Sequence, residues 1–185
     1  MSFHNKVIWI TGASSGIGKA LAQELSYQNA LLIISARDKN SLEMVRELCK
    51  NPKNVWIIPL DLEKHSTFSE ITQRAINVFG RIDILVNNGG ISQRSLATET
   101  HISVDKKIME VNYMGTIALT KAVLPHFIDN QKGQIVVTTS IVGLIGSPLR
   151  SSYAASKHAL HGFFDSLRAE VYDDNIAVTL ICPGF

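Results

Sequence analysis

The sequence is poor in cysteine, proline and aromatic residues. Of its 185 residues, two are cysteine, five are proline and 7% are aromatic. Cys49 and Cys182 stand alone, without the CxxC or Cys/His spacing of a metal site and without the cysteine density of a disulfide-stapled secreted domain. The scarcity of cysteine favours a reducing compartment, so we expect a cytoplasmic protein without a bound metal.

An excess of charge of either sign is also missing. The 18 basic and 16 acidic residues leave a net charge of +2, which is too small to indicate a nucleic-acid groove or an anionic membrane surface. No apolar run approaches the roughly 20 residues that a membrane helix needs, and the polar residues 1–6 lack the pattern of a signal peptide. We therefore expect a soluble protein that binds neither nucleic acid nor membranes.

Apolar residues are plentiful, at 45% of the chain against 18% charged residues. This balance is typical of a globular domain with a substantial core. No repeat, no low-complexity tract and no linker rich in Pro, Gly or Ser interrupts the chain. We therefore predict a single domain over residues 1–185.

Short runs rich in Val and Ile alternate with longer stretches of helical period. The runs predict strands buried on both faces, at residues 7–10, 31–34, 55–58, 82–86, 135–137 and 176–181. The stretches between them predict helices at residues 17–28, 42–50, 67–79, 104–128 and 152–172. This alternation predicts an α/β, Rossmann-type fold: a doubly wound parallel sheet with helices on both faces and a ligand crevice beyond the carboxyl ends of the strands.

A glycine-rich segment joins the first predicted strand to the first predicted helix. Its sequence is Thr11-Gly12-Ala13-Ser14-Ser15-Gly16-Ile17-Gly18. Gly12 permits a tight turn, Gly16 lets the backbone approach a pyrophosphate, and Gly18 lets the helix and strand pack closely. Because a helix N-terminus adds free N–H groups and a positive dipole end, the segment predicts an anion cradle.

Tyr153 and Lys157 lie four residues apart in a predicted helix. This spacing places both side chains on one helical face. A free tyrosine ionises near pH 10, and a neighbouring ammonium favours the phenolate. The pair alone is weak evidence of catalysis, but it occurs together with Ser140 at a predicted strand end and with the glycine-rich segment.

These motifs together resemble the TGxxxGxG and YxxxK pattern of the short-chain dehydrogenase/reductase family. The resemblance covers essentially the whole chain, and its further positions are Asp61, Asn87 to Gly90, Asn112, Ser140, Pro183 and Gly184. Within the family, residues 87–96 most resemble the branch that includes steroid- and retinoid-reducing enzymes. The resemblance implies an oxidoreductase that moves a hydride between a nicotinamide cofactor and a carbonyl or alcohol.

The resemblance also implies roles for individual residues. Tyr153 would exchange a proton with the substrate oxygen, Ser140 would hydrogen-bond to that oxygen, and Lys157 would also hold the nicotinamide ribose. Asn112 would distort its helix and keep a proton-relay water near the lysine. The residues implied to bind the cofactor are Gly12, Ser14, Ser15, Gly16, Ile17, Gly18, Arg37, Asp61, Leu62, Asn87, Gly89, Tyr153, Lys157, Pro183 and Gly184.

The residues after the second predicted strand favour NADP(H). Family members that prefer NAD carry an aspartate at the position of Ala36, where it binds the adenosine ribose. Arg37 comes next, and its guanidinium suits the 2′-phosphate of NADP(H). Asp38 leaves NAD(H) as the alternative, although we interpret Asp38 as the N-cap of the next helix.

Other functions are disfavoured by specific features. A dinucleotide-responsive binding or scaffold protein without useful turnover is the main alternative, and the intact catalytic residues argue against it. A sugar-nucleotide epimerase would usually carry TGxxGxxG, and Ser140 lacks the GxSxG context of a hydrolase. His158 and His161 lack a third metal ligand, and we interpret Arg94 as a solvated loop residue rather than a substrate contact.

The resemblance carries two expectations about the complete protein. Family members usually continue beyond the Pro183-Gly184 position, so we predict a longer protein and a chain that misses the usual C-terminal strand and substrate lid. The two long predicted helices, residues 104–128 and 152–172, resemble those that pair between subunits. We therefore expect a homodimer or homotetramer, with a small carbonyl or alcohol molecule as the substrate.

Overall fold

The computed structural model describes residues 2–184. The strands are β1 (Val7–Thr11), β2 (Leu31–Ser35), β3 (Val55–Ile57), β4 (Ile84–Asn87), β5 (Gly133–Thr138) and β6 (Ile176–Ile181). The helices are α1 (Gly16–Tyr27), α2 (Lys39–Glu47), α3 (Phe68–Phe79), α4 (Ile102–Met109), α5 (Gly115–Asp129) and α6 (Ser151–Glu170).

The six strands form one parallel sheet in the order β3-β2-β1-β4-β5-β6. From β1 the chain first extends the sheet in one direction to β3, and it then returns to the other side of β1 with β4. The strand order therefore reverses between β1 and β4, where doubly wound sheets bind their ligands. The predicted α/β Rossmann-type fold is confirmed.

Helices cover the sheet on two faces, and the strand residues alternate between them. On β1, Val7 and Trp9 belong to the core that includes Phe127 of α5 and Phe164 of α6. Ile8 and Ile10 belong to the opposite core, together with residues of α1 and α2. Because both faces are covered, every residue of β1 is buried, as expected for a central parallel strand.

Most element boundaries differ from the predicted ones by one to three residues, and two differences have identifiable reasons. The strand predicted from residue 82 begins at Ile84, since the Ile82 N–H donates to the His126 ring, at 3.1 Å, instead of joining the sheet. The predicted helix over residues 104–128 is interrupted by a π-helical turn at Glu110–Met114, which joins α4 to α5. A hydrophobic period does not reveal the extra residue of such a turn.

One part of the sheet is less covered than the rest. Beyond α1, an apolar groove of about 240 Å³ runs along β4, β5 and β6. Its wall includes Leu21 and Leu25 of α1, Ile84 of β4, Val136 of β5 and Ile181 of β6.

Among residues 2–184, no helix combines the length and hydropathy required to cross a membrane.

Candidate active site

A cavity of about 660 Å³ opens at the carboxyl end of the sheet. Small-molecule sites commonly have volumes of about 300–1,000 Å³. The segments after all six strands and the first turns of α6 form its wall. The predicted site residues on this wall are Gly12, Ser14, Ser15, Gly16, Ile17, Arg37, Asp61, Leu62, Gly89, Ser140, Tyr153, Lys157, Pro183 and Gly184.

The glycine-rich segment forms one side of this cavity. Gly12 has a φ of 65°, and a Cβ there would lie 2.6 Å from the Gly89 Cα, so the two loops touch through their backbones. Gly16 has a φ of 52°, and a Cβ there would meet nothing within 4 Å. The backbone at Gly16 is therefore open toward the cavity, while Gly12 supports it from below.

The N-terminus of α1 offers unpaired N–H groups to the same cavity. Helix α1 begins at Gly16, the side chain of its N-cap Ser15 makes no capping hydrogen bond, and its first turn has no acidic residue. The first N–H groups of a helix have no partner within the helix and attract anions. The residues present therefore fit a dinucleotide pyrophosphate, with Ser14, Ser15 and Gly16 around it.

Thr11 and Asn88 lock the loops after β1 and β4 together, and neither was predicted as a site residue. The Thr11 hydroxyl accepts hydrogen bonds from the N–H groups of Asn88 and Gly89, both at 3.0 Å. The Asn88 side chain donates to the carbonyls of Thr11 and Gly12 at 3.2 and 3.3 Å. A threonine directly before the turn glycine and the paired asparagines were the available sequence signals.

Asn87 lies differently from the prediction. Its amide donates to the Thr120 hydroxyl of α5 at 2.9 Å, its Oδ1 has no partner, and the side chain is buried behind the sheet. Successive side chains at a strand end point to opposite faces, so Asn88 rather than Asn87 reaches the cavity. Asn87 thus belongs to the support of β4 rather than to the cavity wall.

Gly18 also lies off the cavity wall. A Cβ at this position would be 2.3 Å from the Gly12 carbonyl oxygen. No side chain fits there, so Gly18 allows α1 to pack against the turn after β1. Its contribution to the anion cradle is the close packing of helix and turn.

Arg37 and Asp38 follow β2 at the far end of the cavity. The Arg37 side chain is exposed. Asp38 accepts hydrogen bonds from the Ser41 hydroxyl and from the Asn40 N–H, the latter at 3.0 Å, so it is the N-cap of α2. The hydrogen bonds from Ser41 and then from Asn40 lower the pKa of Asp38. Its carboxylate is engaged in capping, whereas the Arg37 guanidinium faces solvent.

Ser140, Tyr153 and Lys157 meet at the opposite end of the cavity. Ser140 follows β5 and caps a 3₁₀ helix at Ile141–Gly143, with its hydroxyl 3.4 Å from the Val142 N–H. Tyr153 and Lys157 lie in the first two turns of α6, and the Lys157 Nζ is 5.7 Å from the centre of the Tyr153 ring. One hydroxyl, one phenol and one amine therefore face a common space.

Lys157 is a buried amine. Its side chain is 5% exposed, and the Nζ donates to the Thr138 carbonyl at 2.9 Å. Burial disfavours the ammonium and lowers the pKa of Lys157 from 10.5 to about 8. With that pKa, the ammonium outnumbers the neutral amine by about ten to one at pH 7. Lys157 is therefore mostly an ammonium at pH 7, and it loses its proton at about one pH unit above that.

Asn112 lies behind the cavity wall, within the π-helical turn. Its Oδ1 accepts from the Ile91 N–H at 2.8 Å, and its Nδ2 donates to the Ile91 carbonyl at 2.9 Å and the Ser156 hydroxyl at 3.1 Å. A Cβ built on Gly90 would lie 3.1 Å from the Asn112 Oδ1 and 3.7 Å from the Lys157 Nζ. Asn112 and Lys157 thus converge behind Gly90.

The residues that sequence analysis set aside lie apart from this chemistry. The His158 Nδ1 is 2.9 Å from the Ala154 carbonyl, and the His161 Nε2 is 3.8 Å from the Cys182 sulphur. Within residues 2–184, no three His, Cys, Asp or Glu side chains form a group that could hold a metal. Arg94 is exposed. Arg150 had no predicted role, yet its guanidinium lies 5.6 Å from the centre of the Tyr153 ring.

Known proteins resemble this chain in both sequence and structure. The family model described as short chain dehydrogenase matches residues 6–185. Dehydrogenase/reductase SDR family member 7 of Homo sapiens is 48% identical over 184 residues, which cover 96% of this chain and 54% of the relative. The SDR family protein 7-like of Anopheles gambiae is also 48% identical, over 98% of this chain and 59% of the relative.

A solved structure extends the similarity to three dimensions. A short-chain dehydrogenase from Streptomyces avermitilis superposes with a TM-score of 0.93 at 30% identity, over 98% of this chain and 66% of that chain. The chain therefore belongs to the short-chain dehydrogenase family of oxidoreductases, and membership implies a nicotinamide dinucleotide cofactor. The chain spans somewhat more than half the length of these two curated relatives, at 54% and 59%.

Proposed function

We propose that the protein is an NADP(H)-dependent oxidoreductase that interconverts a carbonyl compound and a secondary alcohol, with Tyr153 as the general acid and base. One observation carries the proposal: Ser140, Tyr153 and Lys157 line the same cavity as the anion cradle formed by the glycine-rich segment. A dinucleotide seated with its pyrophosphate at α1 would lie along this cavity, with the catalytic side chains at the end opposite Arg37.

Arg37 supports NADP(H) rather than NAD(H). Its exposed guanidinium stands at the end of the cavity wall that follows β2, and it suits a phosphate in a forked geometry. Ala36, on the same wall, offers no carboxylate to a ribose hydroxyl. The Asp38 carboxylate already accepts two hydrogen bonds from its own helix. At the end of the cavity that follows β2, the Arg37 guanidinium is therefore the charged group that remains available to a ligand.

The chain's own residues supply the proton chemistry. When bound, the dinucleotide supplies or accepts the hydride at its nicotinamide. In the reduction direction, the Tyr153 phenol donates its proton to the substrate oxygen, and the Ser140 hydroxyl donates a hydrogen bond to the same oxygen. The Lys157 ammonium, beside the ring, stabilises the negative charge that forms on Tyr153.

Asn112 and Lys157 offer a route for the proton that Tyr153 must regain. Both polar groups meet behind Gly90, and the Lys157 Nζ is held by the Thr138 carbonyl. The π-helical turn directs the Asn112 side chain toward Ile91 and Ser156. A water between Asn112 and Lys157 would connect the buried amine to solvent. A proton could then pass from solvent through the water and the Lys157 amine to the Tyr153 phenol.

Consumption of NADPH with a panel of ketones and aldehydes tests the proposal on the complete protein. Tyr153→Phe should lower kcat by about 10²- to 10⁴-fold, the usual contribution of a general acid. Its affinity for NADPH should fall by far less than kcat, because the anion cradle is intact. Equal activity of the wild type and Tyr153→Phe would show that the proton comes from another group. Tight NADPH binding without turnover across the panel would favour a binding or scaffold protein instead.

We also propose that the complete protein is a homodimer or homotetramer that works in the cytoplasm. Met114 ends the π-helical turn and Ile128 lies in the last turn of α5, and both are exposed apolar residues, at 41% and 36%. Such side chains suit pairing between subunits. Analytical ultracentrifugation of the complete protein should show a dimer or tetramer, and a monomer at all concentrations would contradict this proposal.

A further inference from the structure

Gln93 is a buried polar side chain in the loop after β4. The residue is 5% exposed. Its Nε2 donates to the Thr100 hydroxyl at 2.9 Å and lies 3.4 Å from the hydroxyls of Ser95 and Ser151. Its Oε1 accepts from the Ser152 N–H at 3.1 Å. A buried carboxamide with both ends satisfied holds its surroundings in one arrangement.

The bond to Ser152 caps the helix that carries the catalytic pair. Helix α6 begins at Ser151, and its N-cap residue Arg150 makes no side-chain capping hydrogen bond. The Ser152 N–H is therefore one of the groups that a helix leaves unpaired at its start. Gln93 supplies the missing acceptor from 59 residues away in the chain. The next residue after Ser152 is Tyr153.

Two further contacts join the same two segments, and a third joins the start of α6 to α4. Leu149 has a φ of 65°, a left-handed conformation that is unfavourable for leucine, and its carbonyl accepts from the Ser95 N–H at 3.1 Å. The Ser152 hydroxyl donates to Asp105 of α4, and Arg150 donates to the Ser92 hydroxyl. The unfavourable turn at Leu149 persists because the loop after β4 holds it from outside.

The loop that carries Gln93 also reaches the cavity. Ile91 and Ser92 lie on the cavity wall, and Asn112 bonds to both the N–H and the carbonyl of Ile91. Hydrogen bonds thus run from the π-helical turn through Ile91 to the loop, and from Gln93 to the start of α6. The loop therefore connects Asn112 to Ser152, the residue before Tyr153.

We propose that Gln93 is a positioning residue for catalysis, which sets the place of Tyr153 by capping α6 from the loop after β4. The proposal rests on the function proposed above, since it assigns Gln93 an effect on the reaction that Tyr153 serves. Gln93 acts through Ser152 and does not touch the reacting atoms. Its loss should therefore reduce the rate of the chemical step without weakening the binding of the dinucleotide.

Steady-state kinetics of the complete protein test this assignment. Gln93→Met keeps the side-chain length but removes the acceptor, and it should lower kcat by about 10- to 100-fold through misplacement of Tyr153. The KM for NADPH should stay within about twofold. Gln93→Ser, whose gap a water can fill, should fold more readily and show a smaller loss of kcat in the same direction.

Thr100→Val is the matched control. It removes the hydroxyl that accepts from the Gln93 Nε2 but leaves the bond from Ser152 to the Gln93 Oε1. This variant should lose stability while its kcat stays near that of the wild type. A loss of kcat in Thr100→Val as large as in Gln93→Met would overturn the proposal, because the effect would then follow loop stability rather than the cap.

Amide hydrogen exchange provides a measurement that does not depend on turnover. In both Gln93 variants, the amide of Ser152, which donates to Gln93 in the wild type, should lose protection by about tenfold or more, whereas amides later in α6 should not change. Unchanged exchange at Ser152 would overturn the proposal whether or not the wild type is active. Absence of carbonyl reduction by the wild type would instead count against the proposed function alone.

Discussion

The two ends of the cavity are built in different ways. At the end that follows β1, β2 and β3, the groups offered to a ligand are backbone N–H groups around Gly16 and an exposed guanidinium at Arg37. At the end that follows β4, β5 and β6, the central group is the buried amine of Lys157. The first end is assembled mostly by neighbours in sequence, whereas the second depends on contacts between distant segments.

The difference follows from the chemistry that each end performs. Binding an anion needs donors that remain open to the ligand, and a helix N-terminus has such donors wherever the turn before it is tight. Moving a proton needs groups whose pKa is shifted and whose position is restrained, and burial among packed segments promotes both. Lys157 shows the shift in its lowered pKa, and Asn112 shows the restraint in its three hydrogen bonds with Ile91 and Ser156.

Lys157→Met should have the largest effect on kcat, and it tests whether the two ends of the cavity have separate roles. Removal of the ammonium should lower kcat by at least about 100-fold, since Tyr153 loses the neighbouring charge that stabilises its anion. NADPH should still bind, though less tightly, because the contact with the nicotinamide ribose is lost while the anion cradle at the other end is untouched. Lys121→Met, which removes an exposed amine of α5, is the control and should match the wild type in a kinetic assay.

The same substitution should change how stability depends on pH. Burial lowers the pKa of Lys157 from 10.5 to about 8 in the folded protein, so between these values the unfolded chain binds more protons and stability rises with pH. Below pH 8 the folded protein bears the full cost of the buried charge, on the order of 3 kcal/mol.

Urea unfolding of the wild type and Lys157→Met from pH 7 to pH 10 measures this cost. The variant should be the more stable protein near pH 7, and the difference should shrink as the pH rises. The variant also loses the hydrogen bond to the Thr138 carbonyl, which lowers its stability at every pH and does not reverse the trend. A pH-independent difference would show that Lys157 is not a shifted, buried amine.

Alanine substitutions at Gly12 and Gly16 should show that Gly12 supports the anion cradle, whereas Gly16 leaves room for the ligand. Gly12→Ala places a methyl group 2.6 Å from the Gly89 Cα at a φ of 65°, so it should cost about 2–4 kcal/mol from backbone strain and overpacking. Gly16→Ala meets nothing within 4 Å at a φ of 52° and should cost only about 1–2 kcal/mol.

For NADPH binding the order is reversed: Gly16→Ala should lose more affinity than Gly12→Ala. The methyl group at Gly16→Ala would occupy cavity space, so NADPH affinity should fall although the fold tolerates the change. Thermal unfolding and fluorescence titration with NADPH, performed on both variants, compare the two losses. Equal loss of stability in both variants would contradict the distinction between a supporting glycine and a binding glycine.

Arg37→Ser should have the smallest effect and should act only on cofactor choice. Loss of a charge-assisted contact to a 2′-phosphate should weaken NADPH binding by about 10- to 100-fold, while NADH binding stays unchanged. Arg94→Ser removes another exposed arginine away from the cavity wall and serves as control. A preference for NADH in the wild type, measured by calorimetry, would contradict the assignment of NADP(H).

The sequence predicted the order and type of the elements because their periods are strong. The fully buried β1 and the glycine-rich turn before α1 follow from residues that lie next to one another. Only a distortion of the helix at Asn112 was expected, from the resemblance, and no local pattern predicted the π-helical turn at Glu110–Met114 that the structure has there. Asn87 was predicted to line the cavity, yet its side chain donates to Thr120. The face of the sheet to which a side chain at a strand end points depends on where the strand stops, and the sequence does not show that.

Gln93 and Arg150 had no predicted role for a similar reason. Each contacts a segment almost sixty residues away, as shown by the bonds from Ser152 to Gln93 and from Arg150 to Ser92. A glutamine or an arginine in a polar loop carries no local signal of burial or of a partner. Only the approach of the loop after β4 to the start of α6 gives these side chains their contacts.

Local sequence patterns are enough to predict the parallel α/β fold, the anion cradle and the shared helical face of Tyr153 and Lys157. These features depend on hydrophobic period, on glycine and on helical spacing, all of which act between near neighbours. Contacts between distant segments set which asparagine reaches the cavity, how deeply Lys157 is buried and what caps α6. Burial, and with it a shifted pKa, depends on how distant segments pack around a group, and no local pattern encodes that packing.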